Sequence, residues 1–555
     1  MGTERLLDGR SALWGAIGLL AMVSLLAGCG GSSHHRSQTT SHVSTDGSTA
    51  TVVHALATVD DFAAQSDQPD HMRVSIYDLR RSGPFVVLDF GVRCVGASDS
   101  CSLEYDFAAS SHAQQVSRKY AENGYSTASG VTLVDPLAKQ QYLPVVDSQG
   151  RPDSSKLSDL DVGSPVMLEW VKFRAPPSSV HALDVLFPEG GPVVAGVPVS
   201  TGPAPSPSQI GPGVQTATPS DFAYPEASSD TSGLTLPVEN LDTIVGSHSG
   251  SDSEAADKST ITLNADVLFK FDKSNLTPMA RGILQSVAAR IKSSASGTVR
   301  VTGYTDSIGT DAVNMPLSQA RAQSVVAALK PLVGAAPVSF QASGMGSADP
   351  VAPNTLPNGA DNPAGRALNR RVTIVYAVKA PTPPAAPPAS VATSPPQTGA
   401  GARTVTLKAK TDYVSTYTIS ATRLFRTGNL AVLELSATCV SATSSDGCDG
   451  EFDLTGTPTA PPISAETGGY PGGEAELDSA SGVYLEDPAT GTEYIPLYNS
   501  DGVPLTADVE PYMPTGTTQP LWVYFPAPPQ SVTSLTIALP TGPTIAGMSI
   551  SPTPP

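Results

Sequence analysis

Histidine disappears from this chain after position 248, so everything beyond that point has no imidazole to move protons near neutral pH. Two signatures of hydrolytic chemistry are missing as well, the G-x-S-x-G elbow and the H-E-x-x-H zinc helix. Positive charge is scarce: 32 Lys and Arg face 51 Asp and Glu, for a net −19, which excludes a general nucleic-acid binder. Charged residues make up only 15% of the chain, whereas Pro and Gly number 51 and 49, a balance that favours strands and linkers over long helices. No apolar run reaches the roughly 20 residues of a membrane span. A length of 555 residues is too great for one core, so several domains are expected.

The apolar run that comes nearest, Ala12 to Ala27, ends at small residues before Cys29 and reads as an export signal over 1–28. Its end, "LLAGC", resembles the lipobox of bacterial lipoproteins, which implies cleavage after Gly28 and acylation of Cys29. Acyl chains there would hold the protein to membrane lipid, at about 0.8 kcal/mol per buried methylene. Residues 29–52 then form a polar tether, in which His34, His35 and His42 read as solvated residues and not as metal ligands. No cofactor or metal is expected.

Without Cys29, four cysteines remain in two close pairs. In an exported protein these predict the disulfides Cys94–Cys101 and Cys439–Cys448 over a zinc site, whose spacings are shorter. The pairs sit in a duplication: residues 129–152 ("SGVTLVDPLAKQQYLPVVDSQGRP") align with 481–504 ("SGVYLEDPATGTEYIPLYNSDGVP"), and the offset holds through Trp170 and Trp522. Each copy consists of short β-branched and aromatic runs broken by turn residues. Two homologous all-β sandwich modules of immunoglobulin-like appearance are therefore expected, over 53–199 and 403–555. Asp135, Asp487, Tyr142, Tyr494 and the two tryptophans read as turn and core residues, with a ligand groove as the rival.

Between the modules, 200–257 and 380–402 are rich in Pro, Ser, Thr and Ala and read as linkers, with 233–247 a strand lacking an assigned neighbour. Residues 258–379 differ. "STITLNADVLF" alternates as a strand. "TPMARGILQSVAARIKSS" has Thr277 as N-cap, Pro278 at the first helical position and an apolar face from Ala280 to Ile291. A strand "TVRVTGY", a helix from about Pro316 to Leu329 and strands near 337–343 and 371–378 follow. The order is β-α-β-α-β, an α/β domain.

Four segments, "VLFKFDKSNLTP", "GYTDSIGTDAVNMPLSQARAQSVVAAL", "GMGSADPVAPN" and "GRALNRRVTI", together resemble the OmpA-like C-terminal, peptidoglycan-binding domain family. The resemblance covers 258–379 and implies a non-catalytic domain that grips the diaminopimelate of a peptidoglycan stem peptide. Carried over by motif, Asp306 would take the ligand's ammonium and Arg321 its carboxylate, while Asp272, Asn314 and Arg370 would line the same pocket. Lys270 stands where the family commonly has aspartate, Tyr304 where histidine is frequent, and 346–368 is a long insertion.

The residue chemistry agrees independently. The free end of diaminopimelate is a zwitterion, which calls for an acceptor-only anion and a forked cation. Arg321 falls between Leu317 and Val325 on a helical wheel, where a charge without an anion is costly. The rival reading pairs Asp306 directly with Arg321. Residues 258–379 hold 13 Lys and Arg against 6 Asp and Glu, a basic body in an acidic chain that suits a polyanionic wall. The resulting expectation is an exported, membrane-anchored lipoprotein that binds peptidoglycan without catalysing anything, in an outer membrane or a wall-facing plasma membrane. Alternatives are a display protein whose modules hold an unknown protein or glycan and, third, a wall hydrolase. A transmembrane pore is disfavoured, because neither module shows ten-residue strands of alternating apolar residues.

Overall fold

The computed structural model describes residues 40–43, 49–63, 70–95, 100, 101, 107, 127–157, 159–188, 191, 193–210, 214–216, 230–247, 249–255, 257–379, 403–410, 414–443, 447–449, 479–500, 502–507, 512–539 and 543–554. The leader, Cys29 and the 380–402 segment lie outside the described residues. Among the described residues strands predominate, and the two long helices both belong to the middle of the chain.

Each repeat is organised around one hairpin. Strands Asp70–Ser82 and Phe85–Cys94 turn through Gly83, and Val414–Thr427 and Leu430–Ala442 through Gly428; both glycines have left-handed backbone, with φ of 61° and 54°. A two-residue hairpin turn with that conformation at its first central position favours glycine. Val166–Arg174 and Thr518–Pro526 add antiparallel strands on the far side of Phe85–Cys94 and Leu430–Ala442 respectively. Cys94 is bonded to Cys101 and Cys439 to Cys448, each tying the end of a hairpin strand to a short strand that follows.

The second sheet of the first repeat contains Thr132–Asp135, Gln140–Tyr142, Ala182–Leu186 and Val193–Pro198. Its alternate residues face different cores. Leu133, Leu183 and Val185 pack with Val74, Phe90 and Phe173 of their own repeat, whereas Val134, Leu186 and Ala195 pack into the core of the second repeat, with Phe425 and Phe525. Burial on both faces accounts for runs that are apolar throughout. Trp170 and Trp522 are 6% and 5% exposed, and Tyr142 and Tyr494 are buried. Asp135 accepts from the backbone N–H of Leu137 and Ala138, and Asp487 from that of Ala489, so the shared Asp-Pro pairs shape turns.

The linker expectation for 200–257 fails over 238–254. Val238–Ser247 is a strand that meets three bodies: Val238–Asn240 pairs with Gln140–Tyr142 of the first repeat, Leu241–Gly246 with 493–499 of the second, and Thr243–Ser247 with Gly250–Glu254. Gly250–Glu254 continues to Lys258–Asn264, the first strand of the middle domain. The strand expected over 233–247 is therefore present, and its missing neighbours are Gln140–Tyr142, 493–499 and Gly250–Glu254. Glu239 is buried, and Ser500 Oγ donates to its carboxylate.

The middle domain is α/β. Its strands lie in the order Lys258–Asn264, Arg371–Val378, Ala295–Gly303, Val338–Gly344, of which only the last pair is parallel. Helices Pro278–Ser294 and Asp311–Val333 share the core with this sheet through Leu284, Val287, Ile291, Val325 and Leu329. Thr277 Oγ1 accepts from Ala280 N at 3.1 Å and caps the first of these helices. The second begins five residues before Pro316, which stands inside it and only removes one hydrogen bond near its start. "ADVL" leaves the expected strand: Asn264 caps a single helical turn, Ala265–Leu268, by accepting from Asp266 N.

Candidate functional site

Two glycines let the Asp311–Val333 helix approach the carboxyl ends of the parallel strands. A Cβ on Gly303 would lie 2.3 Å from the Ser318 carbonyl oxygen, and one on Gly344 2.3 Å from Gln319 N. The helix therefore rests on the strand ends there, and Arg321, one turn further on, is placed beside the loops that leave them.

Arg321 is 4% exposed. Its Nε donates to the Lys273 carbonyl oxygen at 3.1 Å, and its guanidinium lies 5.3 Å from the centroid of the Phe269 ring. Among the described residues its two terminal nitrogens have no hydrogen-bond partner, and no carboxylate forms an ion pair with it. Burial pulls its pKa down, an effect opposed by the more distant Asp266, Asp272 and Asp306. A cation in this position lacks an anion.

Asp306 follows the Ala295–Gly303 strand and is 8% exposed. Its Oδ1 accepts from Ile308 N at 3.0 Å, and its Oδ2 from Arg370 Nη1 at 2.7 Å, with Arg366 Nε 3.7 Å away. The direct Asp306–Arg321 pair considered from the sequence does not form. Arg370 is instead held from two sides, because its Nε and Nη2 also donate to Asp266, with Nη2 at 2.6 Å from Oδ2. These hydrogen bonds raise its pKa, that to Asp266 most.

The remaining candidates differ in position. Asn314 is 4% exposed, as buried as Arg321: its Nδ2 donates to the Ile308 carbonyl oxygen at 3.1 Å and braces the turn that carries Asp306. Asp272 is exposed, with left-handed backbone at φ 51°, in the turn whose Lys273 carbonyl holds Arg321. Tyr304 lies under the Arg371 guanidinium, 3.8 Å from ring centroid to carbon. The 346–368 insertion is tied down by Asn369, 1% exposed, which accepts from Val351 N and Ala352 N and donates to Ala352 O and Asn354 Oδ1.

Sequence reasoning missed Asp266 and Asn369. The first was hidden because "ADVL" was assigned to a strand. The second is an amide whose partners, Val351, Ala352 and Asn354, lie 15 to 18 positions away, beyond any local motif. Chemically, the arrangement offers a buried, under-partnered guanidinium for a carboxylate and, nearby, a carboxylate with spare lone pairs for an ammonium group. A cavity of about 1420 Å³ lies elsewhere, between the two repeats and the middle domain, lined by Lys139, Asp252, Glu254 and Arg290 among others. None of the five candidate residues lines it.

Residues 268–363 match the model of the OmpA family, and this segment is an OmpA-like domain. Among similar proteins, "Outer membrane protein A" of Bordetella avium is 42% identical over 114 residues, 20% of this chain and 55% of that protein. "Photosystem I P700 chlorophyll a apoprotein A2" of Gloeobacter violaceus is 41% identical over 115 residues, 21% of this chain and 13% of that protein. Among solved structures, the peptidoglycan-associated lipoprotein from Burkholderia pseudomallei is 33% identical, with a TM-score of 0.17, covering 20% of this chain and 87% of that one. The chain thus spans about half or less of the length of these two sequence relatives. Among the described residues no helix is long and apolar enough to cross a membrane.

Proposed function

We propose that the OmpA-like domain holds peptidoglycan without covalent chemistry, by clasping the zwitterionic end of a diaminopimelate side chain. The observation that carries this reading is Arg321, a buried guanidinium with both terminal nitrogens unpartnered among the described residues. The ligand carboxylate accepts from those nitrogens. The ligand ammonium donates to Asp306, which Arg370 and Ile308 N hold in place. Asp272 stands at the rim. Arg370 and Asn314 line the same pocket and position the acceptor.

In the same reading the flanking repeats are β-sandwich modules, and acylated Cys29 anchors the chain in a membrane facing the wall. The test is sedimentation with insoluble peptidoglycan. Arg321→Ala and Asp306→Asn each lose co-sedimentation while thermal unfolding keeps its midpoint within a few degrees. Undiminished sedimentation of both variants rejects the reading.

A further inference from the structure

We infer that Phe271 is a second subsite of the same face, a platform for a saccharide ring of the wall glycan. The inference rests on the diaminopimelate reading and extends it from the stem peptide to the sugar. Phe271 is 89% exposed, the most exposed large apolar side chain among the described residues. It does not sit on a loose segment. Phe269 bridges to Leu276, Lys270 N donates to Asn275 O at 3.1 Å, and Lys273 N donates to Lys270 O at 2.9 Å. The turn that presents the phenyl ring is therefore braced on both sides.

This is the turn that holds Arg321. Phe269, two residues before Phe271, lies against the guanidinium, and Lys273, two residues after it, supplies the carbonyl for Nε. Across the site Ile308, 63% exposed, projects from the turn whose N–H fixes Asp306. Each anchor of the zwitterion receptor thus carries a bare apolar side chain at its lip. A fully exposed aromatic ring next to a polar recognition point is a common form of binding anchor.

The neighbours of the ring favour a sugar. Lys270, Asp272 and Lys273 are exposed around Phe271, so a ligand seated on it must be apolar on one face and rich in hydrogen-bonding groups at its edge. A pyranose ring has that form, with C–H groups for the phenyl face and hydroxyls for the charged rim. A sugar joined through a short stem to a clasped diaminopimelate stays tethered to the turn that holds its carboxylate.

The test compares two probes on the full chain by calorimetry: a muramyl tripeptide ending in diaminopimelate and the same tripeptide without the sugar. Phe271→Ala weakens the muramyl probe about 5- to 10-fold and leaves the bare tripeptide unchanged, Phe271→Trp retains muramyl affinity, and Phe271→Leu behaves as the alanine variant. Equal loss for both probes, loss for neither, or full affinity in the leucine variant overturns the platform. A concentration-dependent dimer that disappears in Phe271→Ala overturns it too. Arg321→Ala, measured in parallel, reports on the underlying reading alone. If that variant still binds the bare tripeptide the zwitterion receptor fails, whatever Phe271 does.

Discussion

Replacing Arg321 by methionine should leave the domain as stable as before while removing its grip on the wall. The substitution loses one charge-assisted hydrogen bond, to the Lys273 carbonyl, worth about 1.5 to 3 kcal/mol, and a contact with the Phe269 face worth about 0.5 to 2 kcal/mol. Against this, the native side chain keeps a charge 4% exposed with no anion bound to it, and the effective penalty for such an ion is several kcal/mol. Methionine fills much the same volume without that penalty and packs on the Phe269 ring. The two sides cancel to within about 2 kcal/mol, and stabilisation is as reasonable an outcome as loss. Differential scanning calorimetry of the full chain reads the transition of the middle domain, and sedimentation with peptidoglycan reads binding. A fall of more than about 3 kcal/mol would mean that Arg321 is a structural ion with a partner inside the fold, and the argument for an external anion would fail.

Three further outcomes follow from specific contacts. Gly303→Ala places a Cβ 2.3 Å from the Ser318 carbonyl, so the helix must retreat; stability falls by about 1 to 3 kcal/mol and wall binding weakens with it, measured by calorimetry and sedimentation. Burial raises the Glu169 carboxyl to about 8, against an accepted hydrogen bond from Ser155 Oγ that lowers it. The folded state therefore holds this proton more tightly than the unfolded chain. The associated stability is complete below about pH 4.5 and is lost as pH rises through 8. In Glu169→Gln the decline in melting temperature from pH 5 to pH 8.5 is shallower than in the native protein. Reduction of the two disulfides, which close rings of 8 and 10 residues, costs about 2 to 3 kcal/mol each, read as a lower urea midpoint with dithiothreitol.

The OmpA-like domain was legible because its signals are local. Thr277-Pro278 announces a helix start, and Asp306 and Arg321 lie in two of the four segments that carry the family resemblance. What escaped depends on distant partners. Asp266 matters through Arg370, 104 positions away, and nothing in "NADVLF" marks a capped turn that aims a carboxylate at that arginine. The partners of the strand Val238–Ser247 escaped for a related reason. Its polar residues are satisfied by three bodies at once, so no short window reveals that the strand is buried. The repeats were visible from their constant offset, whereas their docking was not, since the residues that join them differ between copies.

That difference is clearest in one buried contact between the copies. Asp184 of the first repeat is fully buried against the second, where it accepts from Thr427 Oγ1 and Tyr524 OH at 3.0 Å each and from Gly196 N at 2.8 Å. Burial raises its pKa to about 6 in spite of those three donors. If the copies were interchangeable, the same constellation would recur one repeat along. Instead, the 352-residue offset places Thr536 where Asp184 stands and Lys172 where Tyr524 stands, and Lys172 is already paired with Asp153. The first repeat thus offers an acceptor that the second does not reproduce, and the second offers a phenol that the first has replaced by a committed cation. The chemistry of this contact is therefore particular to the Asp184 side of the pair. Thr536 and Lys172 replace the acceptor and the phenolic donor, so the buried constellation around Asp184 is not repeated at the matching positions of the other copy, and the two repeats meet along the strand Val238–Ser247, which joins both to the OmpA-like domain.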